Sequence, residues 1–443
     1  MNRWLVAVLV LLAVVILVSP GIVGKIAEEN MEQGLEMVES GNPGVDITTE
    51  SFDRGWFSSA GRHRLEFDDA DTRELVAGLM PGAAGPNPPA LIITTRIDHG
   101  LVPVTSLARD AGTLMPGLAS AVSTFEIDPG NGEAIALPGR LFSNVGLNGA
   151  SRSRFLLEPG SFEQGGAELS WQGSDLDIYT DPSSGDLAVA GRIEPFAYDD
   201  GETALTFGAI SIDVDQAMSD YGFNVGPGEF DMDGMTVREA GQTFTIGRMF
   251  AKGDSEISDT RLNASATFEM SDIEVPDFGN VAIAIDVDMT GIDAATLGRI
   301  TRAIREASAD ADPETALQNL FPSLQPDLQT LVASGAGLRI GRFEFTVPQG
   351  KLESTLEVDI GETADGAAFS WPAVLLATDA TVNLRIPAAL YDFAAAMNPQ
   401  TSSLLAMGII RREGEWYLMD AEYADGVVTV NGAPMPVPLD ALR

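Results

Sequence analysis

Apolar and polar residues alternate along much of the chain from residue 45 to residue 288, and this period of two is typical of β-strands. Asn131-Gly132 and Asp425-Gly426 each separate two such segments, and these dipeptides favour the tight turns that join antiparallel strands. The pattern predicts strands at 62–67, 91–97, 167–171, 187–193, 244–250, 262–270 and 281–287.

Helical spacing is concentrated later in the chain. Asp293 is placed to cap one helix, and Asp312 followed by Pro313 predicts the start of a second. Pro322 and Pro326 should break that second helix into short pieces, because proline removes a backbone donor. A third helix is predicted to begin near residue 387 and to continue towards 410, and strands are predicted at 335–358, 377–386 and 415–430.

Together these elements predict a mainly β protein, a β-rich α+β fold with one N-terminal transmembrane helix. We expect extended, curved antiparallel sheets whose apolar face is covered by the helices of 293–333 and 387–410. The predicted organisation is a transmembrane anchor at 1–24, a juxtamembrane helix and linker at 25–44, an antiparallel β region at 45–290, and a helix-plus-strand region at 291–443 that packs on or continues the sheet.

Residues 4–24 carry no charge, and an apolar run of this length is enough for a helix to span the hydrocarbon core of a bilayer. Arg3 precedes the run, which favours a cytoplasmic N-terminus and a periplasmic C-terminal domain. A cleaved signal peptide is the alternative, although the stretch before Pro20 lacks a clean Ala-x-Ala site. The sequence therefore predicts a single-pass protein of the inner membrane, held by an uncleaved signal anchor.

The charge of the 443-residue chain narrows the choice of partners. The chain has 26 basic and 65 acidic side chains, a net charge of −39, and a field of this sign repels phosphate backbones. We therefore expect no nucleic-acid partner. The chain contains no cysteine, which excludes disulfides, thiolate nucleophiles and cysteine-ligated metals.

Candidate catalytic residues are few, because the chain has only two histidines, His63 and His99. Asp98 precedes His99, but neighbouring strand residues point to opposite faces, so Asp98 is badly placed to orient that ring. The sequence contains no Gly-x-Ser-x-Gly elbow and no phosphate-binding glycine loop. We predict no cofactor and no metal site.

Three segments together carry a family resemblance. They are Phe52-Asp53-Arg54-Gly55-Trp56-Phe57-Ser58-Ser59, then Ile97-Asp98-His99-Gly100, and last the stretch from Tyr423 to Gly432. Following an N-terminal anchor in this order, they resemble the YdgA-type family of bacterial envelope proteins. The resemblance implies an inner-membrane anchor and a periplasmic domain, but no activity, because the family is a domain of unknown function. The candidate partner-binding or structural residues are Arg54, Gly55, Trp56, Phe57, Asp98, His99, Gly100, Tyr423 and Gly426.

Extended sheets with open edges are uncommon unless they are covered or used for binding. The leading hypothesis is therefore a non-enzymatic envelope protein that binds a lipid or an envelope protein in a β-lined groove. Two alternatives stay open at this point. One is a structural scaffold whose groove is a filled core, and the other is an envelope hydrolase that uses carboxylates or His99.

Overall fold

The structure is a computed structural model, and it describes residues 45–67, 87–100, 117–128, 130, 134–164, 166–239, 241–276, 278–308, 313–362, 370–398 and 400–435. The predicted anchor and the predicted acidic helix at 25–44 lie outside these residues. So does the Asn131-Gly132 turn. Within the described ranges, no helix has the length and apolar character that a membrane crossing needs.

The protein is mainly β, with a large antiparallel sheet and few helices, as the alternation predicted. Contacts along the chain divide it into two compact units, unit 1 (Met1–Asp215) and unit 2 (Gln216–Arg443). Strand β13 continues across the boundary between them. The strands up to this boundary are β1 (Val45–Arg54), β2 (Ser58–Phe67), β3 (Ala90–His99), β4 (Ala119–Asp128), β5 (Ile135–Val145), β6 (Ser151–Leu157), β7 (Gly160–Gln164), β8 (Ala167–Trp171), β9 (Ser174–Asp181), β10 (Asp186–Ile193), β11 (Phe196–Asp199), β12 (Thr203–Phe207) and β13 (Ile210–Met218).

Unit 1 contains two antiparallel arrays. Strands β1 to β6 pair in chain order, and β9 and β10 then follow β6. Strands β7, β8, β11 and β12 pair in that order to form the second array. A residue on one strand faces the same side as its register partner, so the alternation in each strand adds to a shared apolar face.

Unit 2 begins with a further series of strands and then alternates strands with helices. Strands β15, β18 to β23, β25, β26 and β27 pair antiparallel in that order. The elements are β14 (Asn224–Val225), β15 (Gly228–Met232), β16 (Met235–Glu239), β17 (Gln242–Ile246), β18 (Arg248–Ser258), β19 (Arg261–Val275), β20 (Gly279–Asp293), α1 (Ala294–Ser308), α2 (Pro313–Ala333), β21 (Ala336–Val347), β22 (Gly350–Ile360), α3 (Trp371–Leu376), β23 (Thr378–Pro387), α4 (Ala388–Met397), α5 (Thr401–Ala406), β24 (Arg411–Glu413), β25 (Trp416–Ala424), β26 (Val427–Val430) and β27 (Ala433–Met435).

Two local predictions in unit 2 are confirmed. The side chain of Asp293 accepts a hydrogen bond from the backbone N–H of Thr296 at 2.8 Å, which caps α1. Asp425 and Gly426 have φ values of 53° and 77° and connect β25 to β26. Positive φ at both central residues is the requirement of a type I′ hairpin turn.

The prediction that prolines break the second helix is wrong. Helix α2 is continuous from Pro313 to Ala333, with Pro322 and Pro326 inside it. An interior proline costs about 3 kcal/mol, but α2 also packs against α1. Leu324 is buried, and Asp327 pairs with Arg299 of α1 at 2.7 Å, so tertiary contacts offset the lost hydrogen bonds.

The predicted strand at 244–250 is in fact two strands, β17 and β18, separated by Gly247. The backbone N–H of Gly247 donates to the carbonyls of Ser271 and Asp272, at 3.0 and 3.1 Å. A Cβ at this position would lie 2.6 Å from the Cβ of Asp272. The close backbone approach interrupts the strand, and glycine permits it.

The apolar side chains of the C-terminal region close into a core. Ala388 and Tyr391 of α4 pack with Ile410 and Tyr417, and all four are buried. The rings of Tyr391 and Tyr417 have centroids 4.0 Å apart. Helix α4 therefore covers β25 at this end of the sheet, and it forms part of the helix cover that the sequence predicted for 387–410.

Candidate functional site

Two of the sequence motifs lie side by side in unit 1. Strands β1 and β2 are joined by a turn at 55–57, and β3 lies beside β2. The backbone N–H of His99 donates to the carbonyl of Phe57 at 3.0 Å, and Asp98 lies opposite Ser58 in the strand pairing. The structure thus brings together segments some 40 residues apart, which sequence spacing alone did not predict.

Strand β1 ends at Arg54, and the turn that follows it presents two aromatic side chains at the surface. Trp56 is 56% exposed and Phe57 is 45% exposed. The backbone N–H of Gly55 donates to the carbonyl of Ser58 at 2.8 Å, and a Cβ on Gly55 would lie 2.7 Å from that oxygen. Glycine is needed at this position because the turn closes tightly. A partner-binding role for the two aromatic residues stays a prediction.

His99 lies inside the sheet, next to a serine that the sequence analysis did not single out. Its Nε2 is 3.1 Å from Oγ of Ser59, and the two residues are 1% and 3% exposed. Asp98 is buried too, and Gly100 ends the strand with φ of 122°. A nucleophile must be reached by its substrate, so the buried Ser59–His99 pair is suited to a structural hydrogen bond rather than to hydrolysis.

The remaining predicted residues lie in unit 2, where they stabilise a hairpin. The hydroxyl of Tyr423 on β25 donates to the carbonyl of Leu375 in α3 at 2.9 Å. Gly426 occupies the β25–β26 turn, and a Cβ there would be 3.3 Å from the side chain of Leu376. Both residues fix the hairpin against α3. Their predicted role in partner binding remains a prediction.

The feature of unit 1 most suited to binding is a cavity of about 540 Å³, which we call the apolar cavity. Its volume falls within the range of small-molecule sites. Most of its described lining residues are aliphatic or aromatic, and the others are two glycines, a serine and a glutamate. The described lining residues are Leu91, Phe125, Leu137, Gly139, Phe155, Leu157, Leu169, Trp171, Gly173, Ser174, Ile193, Glu194, Phe196, Tyr198 and Leu205.

Strand register explains why these residues meet. Leu91 on β3 pairs with Ile127 on β4, and Leu137 on β5 pairs with Phe125, which lies two residues before Ile127. Their side chains therefore share one face. On the second array, Trp171 lies opposite Phe196 in the same way. The two arrays each contribute one face to the lining.

Aromatic contacts shape the wall of the apolar cavity. Phe125 and Phe155 meet edge to face, with ring centroids 5.8 Å apart. A Cβ on Gly160 would lie 2.7 Å from the ring of Trp171, so that glycine lets the indole lie flat on β7. Gly139 is different: a Cβ there would make ordinary contacts with Leu157 and Phe155, at 3.4 and 3.5 Å.

The polar groups of the lining are already engaged within the protein. The indole N–H of Trp171 donates to the carbonyl of Glu158 at 2.8 Å, and the hydroxyl of Ser174 donates to the carbonyl of Gly173 at 2.7 Å. The hydroxyl of Tyr198 donates to the carboxylate of Asp200 at 3.2 Å. Burial, and then this carboxylate, raise the pKa of Tyr198, so the phenol stays neutral.

Unit 2 has a cavity of about 450 Å³ with the opposite chemistry, which we call the polar cavity. Carboxylates from β18, β20 and β22 line it, together with hydroxyl and amide side chains and Arg339. Among the residues that the structure describes, no group of three or more His, Asp or Glu side chains is arranged to hold a metal ion.

Sequence reasoning found some of the strands that line the apolar cavity, but not β6, β11 or β12 and not the cavity itself. The segments at 91–97, 167–171 and 187–193 were all predicted as strands, and each contributes lining residues or their neighbours. An alternating strand specifies which residues share a face. It does not specify whether that face meets another side chain or an open volume.

Comparison with known proteins identifies the chain only at the level of a family. No curated protein and no solved structure matches it. The model of one family, described as a bacterial protein of unknown function (DUF945), matches residues 1–438. Because the match covers nearly the whole chain, this protein belongs to the DUF945 family of bacterial proteins.

Proposed function

We propose that this protein is a membrane-anchored periplasmic protein, without catalytic activity, that holds the hydrocarbon chain of a lipid in the apolar cavity. The observation that carries the proposal is the cavity of about 540 Å³ with its aliphatic and aromatic lining. Among the large side chains of the lining only Tyr198 is buried, and the other aliphatic and aromatic side chains keep part of their surface accessible.

A hydrocarbon chain suits this lining on energetic grounds. Water in the cavity would find few partners, since the three side-chain donors of the lining are already hydrogen-bonded. Burying a methylene group contributes about 0.8 kcal/mol, so a chain of about ten methylenes would contribute roughly 8 kcal/mol before the entropic cost of binding.

A peptide fits the same lining less well than a lipid. The lining strands β4, β5 and β6 each have neighbours on both sides, so their backbone groups are paired with one another. A peptide backbone entering the cavity would lose its hydrogen bonds to water without replacement, at a cost of about 1–3 kcal/mol for each group. A hydrocarbon chain has no such groups to satisfy.

The predicted anchor supports the same proposal. The uncharged run at 4–24 would hold the chain in the inner membrane with its C-terminal part in the periplasm, next to a supply of lipid. The two antiparallel arrays of unit 1 would provide the β-lined surface for that lipid. The scaffold alternative, in which the groove is a filled core, differs in that no lipid would be bound.

Native mass spectrometry of the full-length chain tests the proposal, after exchange into detergent and with solvent extraction of whatever stays bound. We expect about one lipid per wild-type chain. Gly139→Leu should abolish the bound lipid, because the new side chain projects from the lining into the cavity.

Ala136→Leu is the matched control for this experiment. Ala136 lies on the same strand, β5, but it is exposed and lies opposite Glu126 rather than in the cavity lining. This variant should keep its lipid. A wild-type chain with no bound lipid, or equal retention by both variants, would contradict the proposal, and copurification of a protein instead would favour a partner-binding role.

A further inference from the structure

The charged groups around the apolar cavity bear on the kind of lipid that it can accept. Glu194 is the one charged residue among the described lining residues, so these residues include no lysine and no arginine. The side chain of Glu194 is 43% exposed, so it lies where the cavity meets solvent. The backbone N–H of Glu194 donates to the carbonyl of Gly173 at 3.0 Å, which fixes its position in the wall.

The nearest cation in the sequence is already engaged. Nε of Arg192 is 3.4 Å from the carboxylate of Glu194, and its Nη1 donates to the hydroxyl of Ser211 at 2.9 Å. An incoming carboxylate would have to compete with both partners for this guanidinium. It would also approach the like charge of Glu194 in a chain whose net charge is −39.

Hydrogen-bond donors for an anion are equally scarce. Trp171, Ser174 and Tyr198 are the lining side chains that can donate, and each already donates to an oxygen of the protein. A carboxylate drawn from the solvent edge into the lining would lose its hydration without compensation. A head that is an alcohol or an ester loses far less, because it carries no charge.

On the proposed function of lipid binding, we infer that the apolar cavity selects lipids with an uncharged polar end and discriminates against free fatty acids, with Glu194 as the residue that sets this preference. The hydrocarbon lining supplies the affinity. The charge at the entrance supplies the selection, so the two properties are separable by mutation.

Photolabelling of the full-length chain in phosphatidylcholine vesicles tests this inference. Two probes with the same alkyl chain and the same diazirine would be compared, one ending in an alcohol and one in a carboxylic acid, at about pH 8.5 where the acid is ionised. Labelling of peptides from the cavity lining, normalised to the amount of probe in the vesicles, should favour the alcohol by about tenfold or more.

Glu194→Gln should narrow this preference to about threefold or less, because it removes the negative charge and one partner of Arg192. Glu168→Gln is the matched control and should keep the full preference. Glu168 lies on β8 next to lining residue Leu169, but it is exposed and points away from the lining.

The outcomes separate the two proposals. Equal or stronger labelling by the acid in the wild-type chain would overturn the inference and leave lipid binding intact. An unchanged preference in Glu194→Gln would overturn the role of Glu194. Absence of cavity labelling by both probes would overturn lipid binding itself, and the inference with it.

Discussion

In unit 1 apolar side chains of two strand arrays surround an open volume, whereas in unit 2 the apolar side chains near the C-terminus close into a core. Phe155 and Trp171 line the apolar cavity. Tyr391 and Tyr417 are 5% and 4% exposed and pack ring against ring. The polar cavity of unit 2 is lined instead by carboxylates, hydroxyls and Arg339.

The described residues that cover the sheets also differ between the two units. In unit 2, helix α4 brings Ala388 and Tyr391 onto β25 and seals that end. The described part of unit 1 contains strands but no helix. Antiparallel sheets need one apolar face covered, and in unit 1 we propose that a bound hydrocarbon chain contributes to that cover. On this proposal, the same alternation would serve packing in unit 2 and lipid binding in unit 1.

The largest expected difference between the two units is the loss of stability when one aromatic residue is truncated in each. Tyr417→Ala should destabilise unit 2 by about 3–5 kcal/mol, because it opens a cavity in a packed core. Phe155→Ala should destabilise unit 1 by only about 1–2 kcal/mol, because this ring already faces an open volume. Hydrogen–deuterium exchange of peptides from each unit measures both effects in the same chain. Equal destabilisation would mean that the apolar cavity is packed like a core.

A larger side chain in the wall of the apolar cavity tests how tightly that wall is packed. Gly160→Val should destabilise unit 1 by about 1–3 kcal/mol and displace the indole of Trp171, whose ring is 2.7 Å from the position of the new Cβ. Ser161→Val is the control, since Ser161 is the exposed next residue on β7. Tryptophan fluorescence and chemical denaturation report both effects, and similar behaviour of the two variants would contradict the described wall.

The ion pairs of unit 2 should contribute less to its stability than its packed aromatic residues do. Arg342 donates to Asp286 at 2.8 Å and also pairs with Glu269, at partly exposed positions. Arg342→Leu should cost about 1 kcal/mol near neutral pH. Arg342 lowers the pKa of Asp286, so this contribution is present above the usual aspartate pKa of about 3.9 and is lost as the pH falls through the lowered value. Acid unfolding should therefore be less steep in the variant than in the wild type.

The smallest predicted effect concerns His63 of unit 1 and occurs at milder pH. His63 is 2% exposed, its Nδ1 lies 3.0 Å from Oγ1 of Thr49, and burial lowers its pKa. As the pH falls, the unfolded chain takes up a proton on His63 before the folded chain does. The contribution of the buried neutral ring to stability is therefore full above about pH 7 and declines as the pH falls below about 6.5. His63→Gln should flatten the stability of unit 1 between about pH 7.5 and 5.5. An unchanged slope would contradict the buried neutral ring.

The sequence predicted elements well where the signal is local. The strand at 167–171 matches β8 in full, and the turn at Asp425-Gly426 has the positive φ values that its residue types favour. The cap at Asp293 was readable because an aspartate precedes a run with helical spacing. In each case a few neighbouring residues determine the conformation.

The sequence predicted poorly where distant segments decide the outcome. Gly247 breaks a strand because Asp272 lies against it, and α2 continues through Pro322 because α1 packs beside it. The apolar cavity could not be predicted for the same reason. Leu137 and Trp171 belong to different arrays, and periodicity does not say that both face one volume.

The most direct test of lipid binding is to photolabel the full-length chain with the uncharged diazirine alcohol and to compare labelling of the apolar cavity with labelling of the polar cavity in the same molecule. We expect label on peptides bearing Phe155 and Trp171 to exceed label on peptides bearing Asp288 and Arg339 by about tenfold. Equal labelling of the two cavities, or label confined to residues 4–24, would contradict the proposed lipid binding.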